Sequence, residues 1–257
     1  GDYVSFSNCA LPYYLSGTVG AKENLILQTP QSLKKSYKLD VRVKEEVVFV
    51  DAKAKTVEIK RQDGSTYKES YDKLVLSPGA RALALKIEGL ESVPHSFLRT
   101  VNDVAGIKEK LDQDRLKKVV VLGGGFIGVE AAENLKQAGY DVSLVEAQEQ
   151  ILSPYDDDMV QILQKELRDQ GVALHTGYVL AAVEDGKARL SDGTLLDCDF
   201  LVLAAGIEVD TDFLRGMSSH SIHCSPANSR AVLARTIENL SRNTRQSAWA
   251  RSAAVLI

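Results

Sequence analysis

The chain has 257 residues, of which 44% are hydrophobic and 26% are charged, and its formal net charge is −4. This composition is typical of a globular protein rather than a disordered one, and it provides no broad basic surface for nucleic acid or an anionic membrane. No apolar run is long enough to span a bilayer, and three widely separated cysteines exclude a disulfide framework or a zinc ribbon. We therefore expect one or two cytoplasmic domains that bind neither nucleic acid nor membrane.

The first distinctive segment places Cys9 among polar residues, in Ser-Phe-Ser-Asn-Cys-Ala-Leu-Pro-Tyr-Tyr at 5–14. A single cysteine is more often a small buried hydrophobic residue than a nucleophile. If Ser5 to Cys9 is helical, however, Ser5 lies one turn before Cys9 on the same face and can form a hydrogen bond near the sulfur. The polar neighbours can keep a thiolate solvated, although no local cation lowers its pKa. The local pattern leaves both interpretations open.

A strand–turn–strand pattern follows in the first third of the chain. Residues 57–60 predict a strand, Asp63-Gly64 a tight turn, and 73–76 a buried strand that ends in the turn Ser77-Pro78-Gly79. Turn residues after a buried strand are typical of nucleotide-binding folds, in which the carboxyl ends of the strands form the site.

The clearest pattern is a βαβ unit. A buried strand at 118–122 is followed by Gly-Gly-Gly-Phe-Ile-Gly at 123–128, a helix at 129–138 closed by Gly139, and a second strand at 141–145. In G-x-G-x-x-G the first glycine permits the turn, the second lets the backbone approach a pyrophosphate, and the third allows close helix–strand packing. Glu146 ends the second strand, where a carboxylate accepts hydrogen bonds from ribose hydroxyls and repels a 2′-phosphate. We therefore predict dinucleotide binding, with NAD preferred over NADP.

The strand–turn pattern recurs downstream of this unit and predicts an internal repeat. A hairpin around Asp192-Gly193 leads to a buried strand at 200–203 and the turn 204–206, and Cys198 at the strand entrance is expected to be structural. Gly123 precedes Ala204 by 81 residues, and 81 residues before Ser77 falls ahead of residue 1. We therefore expect the chain to be a fragment whose first phosphate loop lies outside it.

The last part of the chain differs in composition. Residues 217–257 contain no Lys, five Arg, eight Ser and one acidic residue, and they lack the apolar periodicity seen earlier. This pattern favours either a disordered tail or residues foreign to the domain, for example from a shifted reading frame. His220, His223 and Cys224 lie here without a nearby fourth ligand, so we expect no metal site.

Several of these segments together resemble a known family. The run at 5–14, Leu-Ser-Pro-Gly-Ala at 76–80, Phe-Leu-Arg at 97–99, the glycine run at 123–128 and Ala-Ala-Gly-Ile at 204–207 resemble the pyridine nucleotide–disulfide oxidoreductases. The Ser-x-x-x-Cys spacing is similar to the single-cysteine branch, which includes coenzyme A-disulfide reductases, NADH oxidases and NADH peroxidases. The resemblance covers roughly residues 1–214.

The resemblance implies a role for each matching residue. Cys9 would be the redox-active cysteine, and Ser5 and Asn8 would contact the thiol arm of coenzyme A. The implied flavin contacts are Ser77, Pro78, Gly79, Ala80 and Arg99. The implied NADH contacts are Gly123, Gly125, Phe126, Ile127, Gly128, Glu130, Glu146, Tyr155 and Gly206. Lys34, Lys35 and Lys38 could meet coenzyme A phosphates, although a solvated basic face is the simpler interpretation.

The resemblance also implies an activity. FAD and NADH would be the cofactors, and electrons would pass from NADH through the flavin to Cys9 and reduce coenzyme A disulfide or a related thiol oxidant. The alternatives are an NADH oxidase or peroxidase, in which Cys9 forms a sulfenic acid, and a catalytically silent NAD-binding fragment. A homodimer is expected for the longer protein.

The expected fold is α/β, with two Rossmann-like dinucleotide-binding domains that each carry a β-hairpin or meander insertion. We assign residues 1–100 to an incomplete FAD-binding domain with the redox cysteine, residues 101–216 to an NAD-binding domain, and residues 217–257 to the atypical tail.

Overall fold

The computed structural model describes residues 1–114, 116–209, 213 and 254–256. These residues form two compact units. The first unit combines Gly1–Asp2 and Asp40–Arg81 with the described residues from Val209 onward, and the second combines Tyr3–Leu39 with Ala82–Glu208.

The helices and strands are numbered along the chain. The helices are α1 Leu11–Leu15, α2 Pro30–Tyr37, α3 Val101–Asp114, α4 Phe126–Gln137 and α5 Asp157–Asp169, with short 3₁₀ turns at Asn8–Ala10, Lys22–Leu25 and Leu90–Ser92. The strands are β1 Ser5–Phe6, β2 Ile26–Gln28, β3 Glu46–Asp51, β4 Thr56–Lys60, β5 Thr66–Ser70, β6 Lys73–Val75, β7 Ala80–Ala82, β8 His95–Phe97, β9 Lys118–Leu122, β10 Asp141–Glu146, β11 Ala173–Thr176, β12 Leu180–Glu184, β13 Lys187–Leu190, β14 Leu195–Asp197, β15 Phe200–Leu203, β16 Ile207–Val209 and β17 Ala254–Leu256.

A five-stranded sheet in the order β11-β10-β9-β15-β8 is the centre of the second unit, and every neighbouring pair is parallel. Its middle strand, β9, begins with the half-buried Lys118 and continues as three valines and a leucine whose side chains are buried on both faces. Such continuous β-branched runs are typical of parallel strands, because helices or other layers cover both faces of the sheet. The predicted α/β class is confirmed.

The two faces of this sheet are covered differently. Val119 and Val121 pack with the buried residues of α1, α3, α4 and α5, whereas Val120 and Leu122 pack with the antiparallel meander β12–β13–β14. Successive residues of a strand point to opposite faces, so a single valine run supplies both layers of the core. The carboxyl end of β9 then leads directly into the glycine loop.

Local elements agree closely with the sequence prediction in most places. The hairpin around Asp192-Gly193 joins β13 to β14, and Gly193 has a φ of +90°. The helix predicted at 129–138 begins three residues earlier, at Phe126, and Gly139 follows it with a φ of +91°.

The structure contains no helix from Ser5 to Cys9, so the prediction considered for this segment was wrong. Ser5 and Phe6 are strand residues that pair with β2, and Cys9 lies on the 3₁₀ turn that follows. Ser5 therefore does not lie one helical turn before Cys9, and the hydrogen bond inferred from that geometry has no basis.

The first unit contains a second antiparallel meander, β3–β4–β5, whose turn includes the predicted Asp63-Gly64. Its core consists of Val50, Val57 and Ile59, and Phe213 packs against it. Ala254–Leu256 pairs in parallel with β6. The remaining residues of the predicted atypical tail lie outside the described part of the chain, so neither interpretation of that tail is tested.

The compact units follow packing rather than the predicted domain boundary at residue 100. Tyr3–Leu39, which we assigned to the flavin-binding half, belongs to the same unit as the βαβ motif. The compact units are defined by packing contacts, whereas the predicted domains were defined by the cofactor that each would bind. The two domain assignments therefore stay predictions. Within the described ranges, no helix combines the length and apolar character needed to cross a bilayer.

Candidate functional site

The loop after β9 is so tightly packed that two of its positions admit only glycine. Gly123 has a φ of +109°, and a side-chain carbon built on it would lie 2.5 Å from the carbonyl oxygen of Ala204. A side-chain carbon on Gly128 would lie 1.9 Å from the carbonyl oxygen of Gly123. The first turn of α4 is therefore pressed against the loop, which is the close packing predicted for Gly128.

Gly125 differs from its neighbours because it faces open space. No described atom lies within 4 Å of a side-chain carbon built there. Gly125 is the N-cap of α4, and no side chain in the described part of the chain caps that end of the helix. The first backbone N–H groups of α4 thus stay available, and a helix N-terminus with free donors and no obstructing side chain can accept a pyrophosphate.

Gly124 was missed in the sequence analysis, which gave no role to the second glycine of the run. Its N–H donates a hydrogen bond to Oε2 of Glu146 at 2.5 Å. A side-chain carbon on Gly124 would lie 2.8 Å from Cγ2 of Ile151. The other carboxylate oxygen of Glu146 accepts a hydrogen bond from the N–H of Gln148 at 2.8 Å. These two bonds hold the carboxylate at the end of β10, beside the glycine loop.

Two aromatic side chains lie at the mouth of this loop. Phe126 and Tyr155 make an edge-to-face contact with ring centroids 5.8 Å apart and an interplanar angle of 81°, and they are 55% and 46% exposed. The segment that carries Tyr155 is anchored by Leu152, whose N–H donates to the carbonyl of Gly124 at 2.8 Å. Ile127 is also exposed. These side chains form an apolar surface suited to a planar ring.

Glu130 and Gly206 complete the predicted nucleotide set. Glu130 lies one turn after Phe126 on α4 and is half-buried. Burial raises the pKa of its carboxyl group, and the charge of Glu133 adds to the increase. Gly206 follows β15 with a φ of +120°, and its carbonyl accepts a hydrogen bond from the N–H of Leu83 at 3.1 Å.

Cys9 is an exposed free thiol in the same unit as the glycine loop. It sits between a two-stranded ladder, in which Ser5 pairs with Gln28, and α1. Oδ1 of the neighbouring Asn8 accepts a hydrogen bond from Nη1 of Arg99 at 3.1 Å. Arg99 also holds a buried Nε with no hydrogen-bond partner among the described residues. The guanidinium of Arg99 therefore contacts the residue that precedes the exposed thiol, through Nη1 rather than through its buried Nε.

The remaining candidates lie elsewhere. Ser77, Pro78, Gly79 and Ala80 belong to the first unit, where Gly79 has a φ of +71°. Lys34, Lys35 and Lys38 are exposed residues at and after the C-terminal part of α2. Cys198 is buried, and burial raises the pKa of its thiol to about 11.

No cluster of three or more metal-ligating side chains occurs in the part of the chain that the structure describes. His220, His223 and Cys224 lie outside that part.

The structure therefore brings the predicted thiol and nucleotide residues into one unit. Those that share it with Cys9 are Ser5, Asn8, Arg99, Gly123, Gly125, Phe126, Ile127, Gly128, Glu130, Glu146, Tyr155 and Gly206. Their roles in binding and catalysis stay predictions.

The chain is similar to known enzymes over most of its length. It is 32% identical over 216 residues to an NADH oxidase of Methanocaldococcus jannaschii, and 32% identical over 212 residues to a coenzyme A disulfide reductase of Staphylococcus haemolyticus. Each comparison covers 82% of this chain and 48% of the relative. The chain therefore spans about half the length of the curated relatives that it matches.

A solved structure supports the same relationship. The crystal structure of reduced CoADR-RHD from Bacillus anthracis superimposes with a TM-score of 0.80 at 35% identity, covering 84% of this chain and 40% of that one. The predicted Rossmann-type fold and the resemblance drawn from the sequence motifs are thereby confirmed. The family model for pyridine nucleotide-disulphide oxidoreductases matches residues 1–232. The chain therefore belongs to the pyridine nucleotide–disulphide oxidoreductase family.

Proposed function

We propose that this chain carries the NADH site and the reactive sulfur of a flavin-dependent oxidoreductase that reduces coenzyme A disulfide or a related thiol oxidant. The observation that carries the proposal is an exposed Cys9 thiol in the same compact unit as the glycine loop. A buried, inert cysteine, which was the main alternative, does not match this exposure.

The chain's own residues fit a dinucleotide. The uncapped N-terminus of α4 and the open space at Gly125 suit the pyrophosphate. Glu146 is held beside the loop, where its carboxylate can accept hydrogen bonds from ribose hydroxyls. The same carboxylate would repel a 2′-phosphate, so we propose NADH rather than NADPH as the electron donor.

Electron transfer depends on cofactors, and the chain's residues position the sulfur. When bound, the nicotinamide supplies a hydride and the flavin passes the two electrons to the sulfur. The Cys9 thiolate would attack the substrate disulfide, break its sulfur–sulfur bond, keep one half as a mixed disulfide and release the other half as a thiolate. Two electrons and a proton then break that sulfur–sulfur bond, which releases the coenzyme A thiol and restores the Cys9 thiolate. Asn8, which accepts a hydrogen bond from Arg99, would contact the thiol arm of the substrate next to the sulfur.

An NADH oxidase or peroxidase is the second candidate. The NADH oxidase relative favours it, and an exposed sulfur would also be accessible to peroxide. Cys9 would then cycle between a thiolate and a sulfenic acid, and the oxygen atom would leave as water. A chain that binds NADH without catalysing either reaction is the third candidate. A homodimer and a cytoplasmic location stay predictions.

The test compares Cys9→Ser with Cys198→Ala in the purified chain supplied with FAD. Visible absorbance reports flavin binding, and NADH consumption is measured with coenzyme A disulfide, oxygen and hydrogen peroxide in turn. We expect C9S to lose disulfide reduction and keep NADH affinity, whereas C198A behaves as wild type because its thiol is buried. Full disulfide reduction by C9S would overturn the proposal. A colourless, inactive chain that still binds NADH would support the third candidate.

A further inference from the structure

Asn134 is a buried polar residue to which neither the sequence analysis nor the proposed function gives a role. It lies on α4 and is 1% exposed, among the apolar residues that pack against the sheet. Burying an amide is unfavourable unless it is hydrogen-bonded, so its partners indicate why an apolar residue does not occupy this position.

Both ends of the Asn134 amide are hydrogen-bonded. Nδ2 donates to the carbonyl oxygen of Glu130 at 2.8 Å, and Oδ1 accepts a hydrogen bond from Oγ of Ser16 at 2.7 Å. The first bond fixes the orientation of the amide, because its nitrogen must face the carbonyl of its own helix. The oxygen is therefore directed at Ser16, which is 118 residues away in sequence.

Ser16 is the C-cap of α1, the short helix that follows Cys9. The N–H of Leu11, the first residue of α1, donates to the carbonyl of Asn8 in the turn that carries Cys9. The turn and α1 therefore form one continuous segment. Leu11 and Leu15 bury one side of α1 in the core.

Side-chain hydrogen bonds attach the segment to the rest of the unit at both ends, and at its C-terminal end Nζ of Lys108 also donates to the carbonyl of Leu15 at 3.4 Å. Arg99 donates to Asn8 at the start, and Ser16 donates to Asn134 at the end. Asn134 lies eight residues after Phe126 on α4, which is about 12 Å along a rigid helix axis. A single helix thus carries the open N-terminus beside Gly125 and the anchor for the cysteine segment.

We propose that Asn134 and Ser16 are positioning residues that set where Cys9 lies relative to the nucleotide-binding end of α4. The catalytic part of this inference rests on the proposed function. The reactivity of Cys9 towards an alkylating reagent can be measured without any turnover. Glu130 lies on α4 between Phe126 and Asn134. Its backbone carbonyl orients the Asn134 amide, and the same residue is a predicted nucleotide contact.

The matched pair Ser16→Ala and Ser16→Thr tests this proposal in the full chain. S16A removes the hydroxyl donor, whereas S16T retains it. The first readout is the rate at which iodoacetamide alkylates Cys9, identified by peptide mass spectrometry. The second is the dissociation constant of NADH, and urea unfolding confirms that each variant is folded.

We expect S16A to change the Cys9 alkylation rate several-fold with NADH affinity unchanged, and S16T to behave as wild type. Asn134→Ala should reproduce S16A, and its effect should not add to that of S16A in the double variant. In the flavin-loaded protein, kcat for disulfide reduction should fall on the order of tenfold in S16A, with the KM for NADH unchanged.

Cys9 alkylation in folded S16A at the wild-type rate would overturn the inference, as would a changed rate in S16T equal to that in S16A. Failure of the proposed function gives a different result. In that case C9S keeps disulfide reduction, while the alkylation rates still report whether Ser16 and Asn134 position the sulfur.

Discussion

Each glycine in the loop after β9 is required for a different physical reason, and these reasons predict different mutant behaviours. Gly123 combines a left-handed backbone with a close approach to Ala204, and Gly128 has no room for a side chain beneath it. Gly124 is crowded by Ile151 and Glu146, whereas Gly125 faces open space. Packing therefore explains three of the glycines and leaves Gly125 for a ligand.

The matched pair Gly128→Ala and Gly125→Ala separates packing from binding. G128A should lower the free energy of unfolding by at least about 2 kcal/mol, because the methyl group overlaps the carbonyl of Gly123. G125A should change it by about 1 kcal/mol or less. The same substitution should weaken NADH binding on the order of tenfold or more, because the methyl group occupies the space of the pyrophosphate.

Urea unfolding and NADH fluorescence titration measure the two effects in the same preparations. NADH affinity in G125A equal to that of wild type would contradict phosphate binding at this position. Wild-type stability in G128A would contradict the packing role.

The sequence predicted the local backbone geometry well where one local motif determines it. The spacing of Gly123, Gly125, Gly128 and Glu146 was sufficient to place a turn, a helix start and a carboxylate at one edge of the sheet. Gly124 was missed because the nearest contact of a side chain there is with Ile151, which lies on a loop that the motif does not include, beside the contacts with Glu146.

Asn134 was also missed at the residue scale. Its partner Ser16 is 118 residues away in sequence, and no local pattern reports so distant a contact.

At the scale of elements, periodicity predicted the strands and helices of the second unit, because one buried face produces a regular pattern. The segment from Ser5 to Cys9 is different. Its two strand residues are defined by pairing with β2, about twenty residues later in the chain. A strand of two residues has no period to detect, so the helix considered there was wrong for a physical reason.

Asp197 connects the meander to the parallel sheet. Its carboxylate pairs with Lys118 of β9 and with Lys187 of β13, the latter at 2.5 Å. Hydrogen bonds from Lys118, which has the larger effect, and from Lys187 lower the pKa of Asp197 from 3.8 to about 2. The carboxylate is exposed, so salt screens these pairs and reduces their contribution to stability.

Asp197→Asn should therefore lower the urea midpoint at neutral pH, and the difference from wild type should depend on pH. A carboxylate whose pKa is depressed in the folded state stabilises that state above its unfolded pKa, and the contribution is lost as the pH falls through the folded pKa. The difference should be fully present above pH 3.8 and shrink as the pH approaches about 2.

Urea titrations of both proteins across this pH range measure the difference, and repeating the neutral titration in about 1 M NaCl should reduce it. A difference independent of both pH and salt would show that the carboxylate charge is not responsible.

At the scale of the whole molecule, the sequence predicted the α/β class and the family but not how the chain divides into packed units. Leu11, Leu15 and Leu25 bury their side chains in the same core as α3, α4 and the parallel sheet. These contacts link residues about a hundred positions apart. The predicted boundary at residue 100 was based on the repeat in the sequence. A repeat indicates that two segments have the same order of strands and turns, but it does not indicate which segments pack together.

We propose that NADH binds at the glycine loop, and we therefore expect it to protect the unit that contains this loop. A ligand that binds only the folded state stabilises what it contacts by RT ln(1 + [L]/Kd), which is about 2.7 kcal/mol at a hundredfold excess over Kd. Hydrogen exchange with NADH present should slow for backbone amides of β9, α4 and β10, while exchange in β3, β4 and β5 stays unchanged, because those strands pack around a separate core. G125A is the control, in which a tenfold weaker affinity should reduce the added protection at the same concentration to about 1.4 kcal/mol. Equal added protection in both units, or added protection in G125A equal to that in wild type, would contradict binding at the glycine loop.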